Sequence, residues 1–176
     1  MDLLMSESAF VLRDIDAEDV AAIDLIAHRM RATLVEVEGE ETGTGMYSID
    51  WLRDRVRQHL DASRLQAKVV IAEDRSGTAV GHTIFRTEAD ASGERFGLIS
   101  TTYVVPEVRR FGIASQLLAR AETWFNELAL PRGSTWTSAR NAPLIGLYER
   151  HGYARVENAP NDLTGTPMTR LERRYR

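Results

Sequence analysis

The chain contains no cysteine. Disulfides, zinc–thiolate sites and thiol nucleophiles are excluded together, and the composition fits a reducing compartment. There is no apolar run long enough to cross a bilayer. The first residues, MDLLMSESAF, lack the basic start and long apolar core of a secretory leader. A cytoplasmic location is therefore expected, with no membrane partner. Basic charge is not in excess either: 22 Lys and Arg stand against 26 Asp and Glu, a formal net charge of −4. Proteins that track a phosphate backbone are basic, so nucleic acid is not expected as a partner. An acidic surface suits a cationic small substrate better. No repeat, low-complexity tract or Pro/Gly linker divides the 176 residues, so one domain spanning 1–176 is expected. No metal site is expected.

The hydrophobic pattern gives an element order. FVLRDI (10–15) reads as a strand, and Asp16 as the cap of a helix with Val20, Ile23, Ile26, Met30 and Leu34 at near-helical spacing. VEGEETGTGMYS breaks it with three glycines, and a second helix starts near Asp50. AKVVIAEDR and AVGHTIFRTEA, joined by a tight turn, form a hairpin. RFGLISTTYVV (95–105) is a longer strand, stopped by Pro106, which cannot donate to a ladder. The helix after it carries Ile113, Leu117, Leu118, Ala121, Trp124, Phe125 and Leu128 on one broad face. PRG ends that helix and STWTSA is a short strand. Pro143 suits the first turn of the next helix and Gly152 its C-terminal cap. YARVE and PMTRLER close the chain as strands. The order β-α-α-β-β-β-α-β-α-β-β implies an α/β (α+β) fold with a mixed sheet and helices on its faces.

One turn stands out. Between Val105 and the long helix lie Arg109, Arg110, Phe111, Gly112, Ile113, Ala114 and Ser115. A helix N-terminus offers unsatisfied N–H groups and the positive end of its dipole, which together bind anions. Gly112 lets a ligand approach the backbone, Ala114 and Ser115 leave the approach open, and the arginines add charge and forked donors. The turn reads as a diphosphate cradle. It is not the triphosphatase loop, because GK[ST] is missing.

A second pattern follows: Asn141 before a helix, Leu144 and Tyr148 on its inner stripe, then Gly152-Tyr153. The two motifs in this order resemble those of the GCN5-related N-acetyltransferases (GNAT family), over about Arg95 to Val156, with the first half similar in element order only. The resemblance implies a mostly antiparallel mixed sheet and acetyl-CoA as cofactor. It implies that backbone N–H groups from Arg110 to Ser115 hold the pyrophosphate, that Thr102, Tyr103 and Val104 pair with the pantetheine arm, and that Asn141 contacts the same arm. A β-bulge that splays this strand from STWTSA is implied as well. Tyr148 matches the family's tyrosine, whose hydroxyl protonates or hydrogen-bonds the departing sulfur.

The family chemistry is acyl transfer to an amine, which needs a base. Some relatives use a strand glutamate; here Ile99, Ser100, Thr101 and Thr102 include no acid, and Trp136 stands where ribosomal-protein acetyltransferases have one. A water chain, His82, Glu36, Glu38, Glu40 and Glu41 remain as candidates. The segment EVEGEETGTG reads as an acidic loop over the acceptor side. The expected function is acetyl-CoA-dependent N-acetylation of a primary amine of a small molecule. The alternatives are a protein lysine or N-terminal acetyltransferase, and a CoA-binding regulatory domain without turnover. A homodimer is compatible with the sequence.

Overall fold

The computed structural model describes residues 9–175. The first eight residues, read above for a leader, and Arg176 lie outside the described residues. The chain runs β1 (Phe10–Asp14), α1 (Val20–Glu38), α2 (Glu40–Met46), α3 (Ile49–His59), β2 (Ala67–Asp74), β3 (Ala79–Ala89) and β4 (Arg95–Val104). It continues through α4 (Ile113–Glu127), β5 (Arg132–Ser138), α5 (Ala142–Arg150), β6 (Ala154–Pro160) and β7 (Pro167–Arg174). Seven strands form one sheet in the order β1-β2-β3-β4-β5-β7-β6. Every pairing is antiparallel except β4 with β5.

Helices cover both faces because each buries one apolar stripe. On one face, Leu117, Ala121 and Phe125 of α4 and Ile145 and Tyr148 of α5 pack with Val70, Phe85 and Ile99. On the other, Ile23 and Ile26 of α1 and Val56 of α3 pack with Val69, Ile71 and Ile84.

Three sequence expectations change. The cap of α1 is Asp19, whose carboxylate accepts from the Ala22 N–H at 3.2 Å. Asp16 instead accepts from the Glu18 N–H at 2.9 Å, closing a local turn before the helix. The glycine-rich break is not a loop: α1 runs through Glu38 and α2 follows after Gly39. Gly43 makes this possible, since a Cβ there would meet the Val35 backbone N at 2.4 Å. Finally, Arg132 and Gly133 belong to β5, because the Arg132 guanidinium is tied to Asp90, Glu94 and Glu172 at 2.7–3.1 Å.

Two irregularities position the cleft. The register of β3 against β4 shifts between Ile84↔Thr101 and Phe85↔Ile99, leaving Ser100 as the extra residue of a bulge. The parallel ladder of β4 with β5 holds only Gly97↔Gly133, Leu98↔Ser134 and Ile99↔Thr135. The buried Thr135 hydroxyl donates to the Ile99 carbonyl at 2.8 Å. Beyond that point the strands diverge. Thr135→Val should lower stability by about 1–3 kcal/mol, since the Ile99 carbonyl loses its buried donor. Urea denaturation measures this, and an unchanged midpoint would reject the tie.

Two histidines are in the core. His82 on β3 is 1% exposed, and neither ring nitrogen has a hydrogen-bond partner. Burial, with help from Arg29, pushes its pKa down to about 3. Burial likewise takes His59 down to about 4; the Arg86 guanidinium, 2.8 Å from its Nε2, adds to the shift, and the bond of Nδ1 to the Arg55 carbonyl opposes it. The native state refuses protons that the unfolded chain takes up below about pH 6.5. The stability these groups contribute at neutral pH is thus lost as pH falls from about 6.5 towards their folded values, by up to roughly 1.4 kcal/mol per pH unit for each. His82→Gln should flatten the decline between pH 7.5 and 5 in urea melts. A pH slope identical to wild type would contradict a buried neutral His82.

Candidate functional site

A cavity of about 610 Å³ opens where β4 and β5 part. Ten of the eleven residues expected to hold a cofactor line it: Thr102, Tyr103, Val104, Arg109, Arg110, Gly112, Ile113, Ala114, Ser115 and Asn141. Phe111 does not; it lies on the outside of the turn, 66% exposed.

The turn takes its shape from two left-handed residues. Gly112, the cap of α4, has φ of 82°, and Arg110 has φ of 73° despite its side chain. No side chain caps α4. Its first N–H groups, from Ile113 to Ser115, therefore face the cavity without an intrahelical acceptor. A Cβ on Gly112 would meet nothing within 4 Å, so the space above the cradle is open. Such successive N–H groups make an anion-binding concavity.

Of the two arginines in the turn, Arg109 lines the cavity with its side chain already engaged: it donates to both carboxylate oxygens of Glu36, at 2.7 and 3.1 Å, and to the Val104 carbonyl at 2.8 Å. Its guanidinium also lies over the Tyr103 ring, 5.6 Å from the centroid. Two further cavity features were not legible beforehand. Arg150, in the last turn of α5, reaches the cavity from the opposite wall. Ser115 and His151 meet at 3.0 Å, tying the start of α4 to the end of α5. Arg150 and His151 both lie far in sequence from the turn they face, so no local signal marks them.

Asn141 caps α5 by accepting from the Leu144 N–H at 3.3 Å. Tyr148 sits on the inner stripe of that helix, 1% exposed. Tyr148 lines neither cavity; Thr135 and Thr102, at the fork between the two strands, are the hydroxyls beside its own. Burial raises its pKa to about 12, so it stays a phenol at neutral pH.

A second cavity, of about 170 Å³, shares Thr33 and Asn141 with the first. Its walls are mainly apolar, from Leu34, Val37, Met46 and Met168. Met46 and Tyr47 at the end of α2, and Asn161 and Thr166 between β6 and β7, also line it. Of the proposed bases, Glu38 lines this cavity with Ser138, and Glu36 lines the first. Glu40 and Glu41 are exposed in the first turn of α2. His82 lines neither cavity, and its depressed pKa leaves it no proton to exchange near neutrality. Among the described residues no helix is long and apolar enough to cross a membrane.

No curated protein sequence is significantly similar to the chain. Solved structures of similar fold include a NatC complex bound to Gag peptide and CoA, at 21% identity over 95% of this chain and 99% of that one, with a TM-score of 0.74. The PaiA N-acetyltransferase from Thermoplasma acidophilum in complex with coenzyme A is 15% identical over 94% and 99% of the two chains, TM-score 0.67. Spermidine N-acetyltransferase from Vibrio cholerae with CoA and spermine is 18% identical over 96% of each, TM-score 0.66. These identities speak for the fold. The match that reaches the sequence motifs is to the model of the Acetyltransferase (GNAT) family, over residues 28–153. That span contains the bulged strand, the cradle, Asn141 and Tyr148, and the chain belongs to the GNAT acetyltransferase family.

Proposed function

We propose that this enzyme transfers the acetyl group of acetyl-CoA to a primary amine of a small molecule. One observation carries the reading: an open-edged strand and an anion cradle line one cavity, and a smaller cavity adjoins it.

The residues fit the cofactor. The left-handed Gly112 and the uncapped start of α4 suit a pyrophosphate, with Arg110 and Arg150 as nearby cations. The edge of β4 from Thr102 to Val104, unpaired on the β5 side, suits the amide-bearing pantetheine arm. Bound acetyl-CoA supplies the activated acyl group. The chain supplies position and proton control.

Tyr148 aims its hydroxyl into the fork where the thioester would lie. With a pKa near 12 it is a weaker acid than a thiol near 8.5. Complete proton transfer to a thiolate would run uphill by roughly 5 kcal/mol. Tyr148 therefore acts by donating a hydrogen bond to the sulfur as charge builds there. A small-molecule acceptor is favoured because the second cavity, about 170 Å³ and lined from both α2 and the β6–β7 connection, is small for a peptide segment.

Calorimetric titration with acetyl-CoA, against adenosine diphosphate as control, tests the cofactor site. Gly112→Glu should weaken acetyl-CoA binding at least about 100-fold, through repulsion of the pyrophosphate and strain at a left-handed position. Wild-type affinity in that variant would reject the cradle. Tyr148→Phe should lower kcat about 10- to 100-fold with little change in acetyl-CoA affinity. An unchanged kcat would remove Tyr148 from the chemistry. Acetyl-CoA binding without acetylation of any amine would reduce the protein to a CoA-binding domain.

A further inference from the structure

The parallel register of β4 and β5 pairs Gly97 with Gly133 and Ile99 with Thr135. Continued past the fork, it sets Ser138 level with Thr102, across the gap. Alternation along a strand places Ser138 on the face opposite Thr135 and Thr137, away from Tyr148 and towards α1. There its hydroxyl donates to Glu38 Oε1 at 2.5 Å. Arg140 holds the other oxygen, with Nη1 donating to Oε2 at 2.6 Å, and the Arg140 N–H donates to Ser138 Oγ at 3.2 Å.

This arrangement fixes a direction of proton flow. The Ser138 proton is committed to Glu38, one lone pair of its oxygen is used by the Arg140 N–H, and one is left to accept. The Glu38 side chain is 2% exposed, on the wall of the 170 Å³ cavity. Glu38 and Tyr47 are the titratable residues of that wall, and Glu38 is its one carboxylate. Two residues earlier on α1, Glu36 is held by Arg109 on the cofactor side.

We propose that Ser138 and Glu38 form a two-step proton relay serving an amine bound in the second cavity, and that this cavity selects monoamines with a compact apolar chain. The inference rests on the acetyltransfer reading above. The amine reacts in its neutral form. As its lone pair forms the C–N bond and the C–S bond breaks towards sulfur, one N–H proton passes to Ser138 Oγ. The Ser138 proton passes to Glu38 Oε1, leaving a carboxylic acid, and the thiolate, hydrogen-bonded by Tyr148 as it leaves, takes up one proton from solvent. Glu38 then returns its proton to solvent. The apolar walls set the preference for the acceptor. A second or third ammonium would lie against Leu34, Val37, Met46 or Met168 with no carboxylate besides Glu38, which Arg140 already holds, and an unpaired buried charge is costly.

The test uses the full chain with acetyl-CoA, and isoamylamine, leucinamide and spermidine as acceptors. The wild type should acetylate the first two with kcat/KM at least about tenfold above spermidine. Glu38→Gln and Ser138→Ala should each lower kcat about 100-fold or more, with acetyl-CoA affinity by calorimetry within twofold. Ser138→Thr, which keeps the hydroxyl, should recover most of the rate, and a merely structural role would not show that split. The relay is overturned if either variant keeps kcat within threefold, or if Ser138→Thr is as slow as Ser138→Ala. The acceptor class is overturned if spermidine matches the monoamines, or if none of the three is acetylated while acetyl-CoA binds. Failure of acetyl-CoA to bind the wild type would instead remove the reading on which the relay rests.

Discussion

The ladder between β4 and β5 ends after three residue pairs, and most of the site follows from that. A parallel pair carries backbone groups that want partners. Here a bulge at Ser100 turns β4, and the Thr135 hydroxyl takes the Ile99 carbonyl at the last pair. Beyond it, the edge of β4 faces a cavity instead of a strand. The Tyr148 hydroxyl reaches that fork from one face of the sheet. Ser138 leaves it towards the other. One interrupted ladder thus opens the larger cavity beside β4 and turns Ser138 towards the smaller one.

The end of α1 spans both lips of the opening. Glu36 takes Arg109, which follows β4, and Glu38 takes Ser138, the last residue of β5, and Arg140 just after it. Glu36 and Arg109 remain 47% and 36% exposed, so their pair contributes modestly to stability. The Glu38 side chain is nearly buried, and a buried carboxylate without its partners would be costly. The first pair lines the larger cavity, and the second fixes a carboxylate on the wall of the smaller one. α2 sits close enough to form that cavity because Gly43 presents no side chain to the Val35 backbone.

The sequence reading of charge and the structure differ for one reason. EVEGEETGTG shows four glutamates in a glycine-rich run, which reads as one acidic loop. Helical geometry sends them apart: Glu36 to one cavity, Glu38 to the other, Glu40 and Glu41 to solvent. His82 is the converse case. Its titration range suits a base, but its strand position buries it without a partner, and burial disfavours the imidazolium.

What the sequence determined by itself is local. Pro106, Gly112, Asn141, Pro143 and Gly152 act through their own φ angles or caps, within a few residues, so the strand ends, the cradle and the start of α5 were legible. Hydrophobic spacing named the stripes of α4 and α5, because burial on one face repeats with the helical period. Only the tertiary structure decided which partners meet across the sheet. Arg109 with Glu36 lies 73 residues apart, Ser138 with Glu38 lies 100 apart, and Ser115 with His151 lies 36 apart. No local preference encodes such pairs. They arise once the splayed strands, α1 and α5 are packed together, and the apolar or charged character of each cavity is set there.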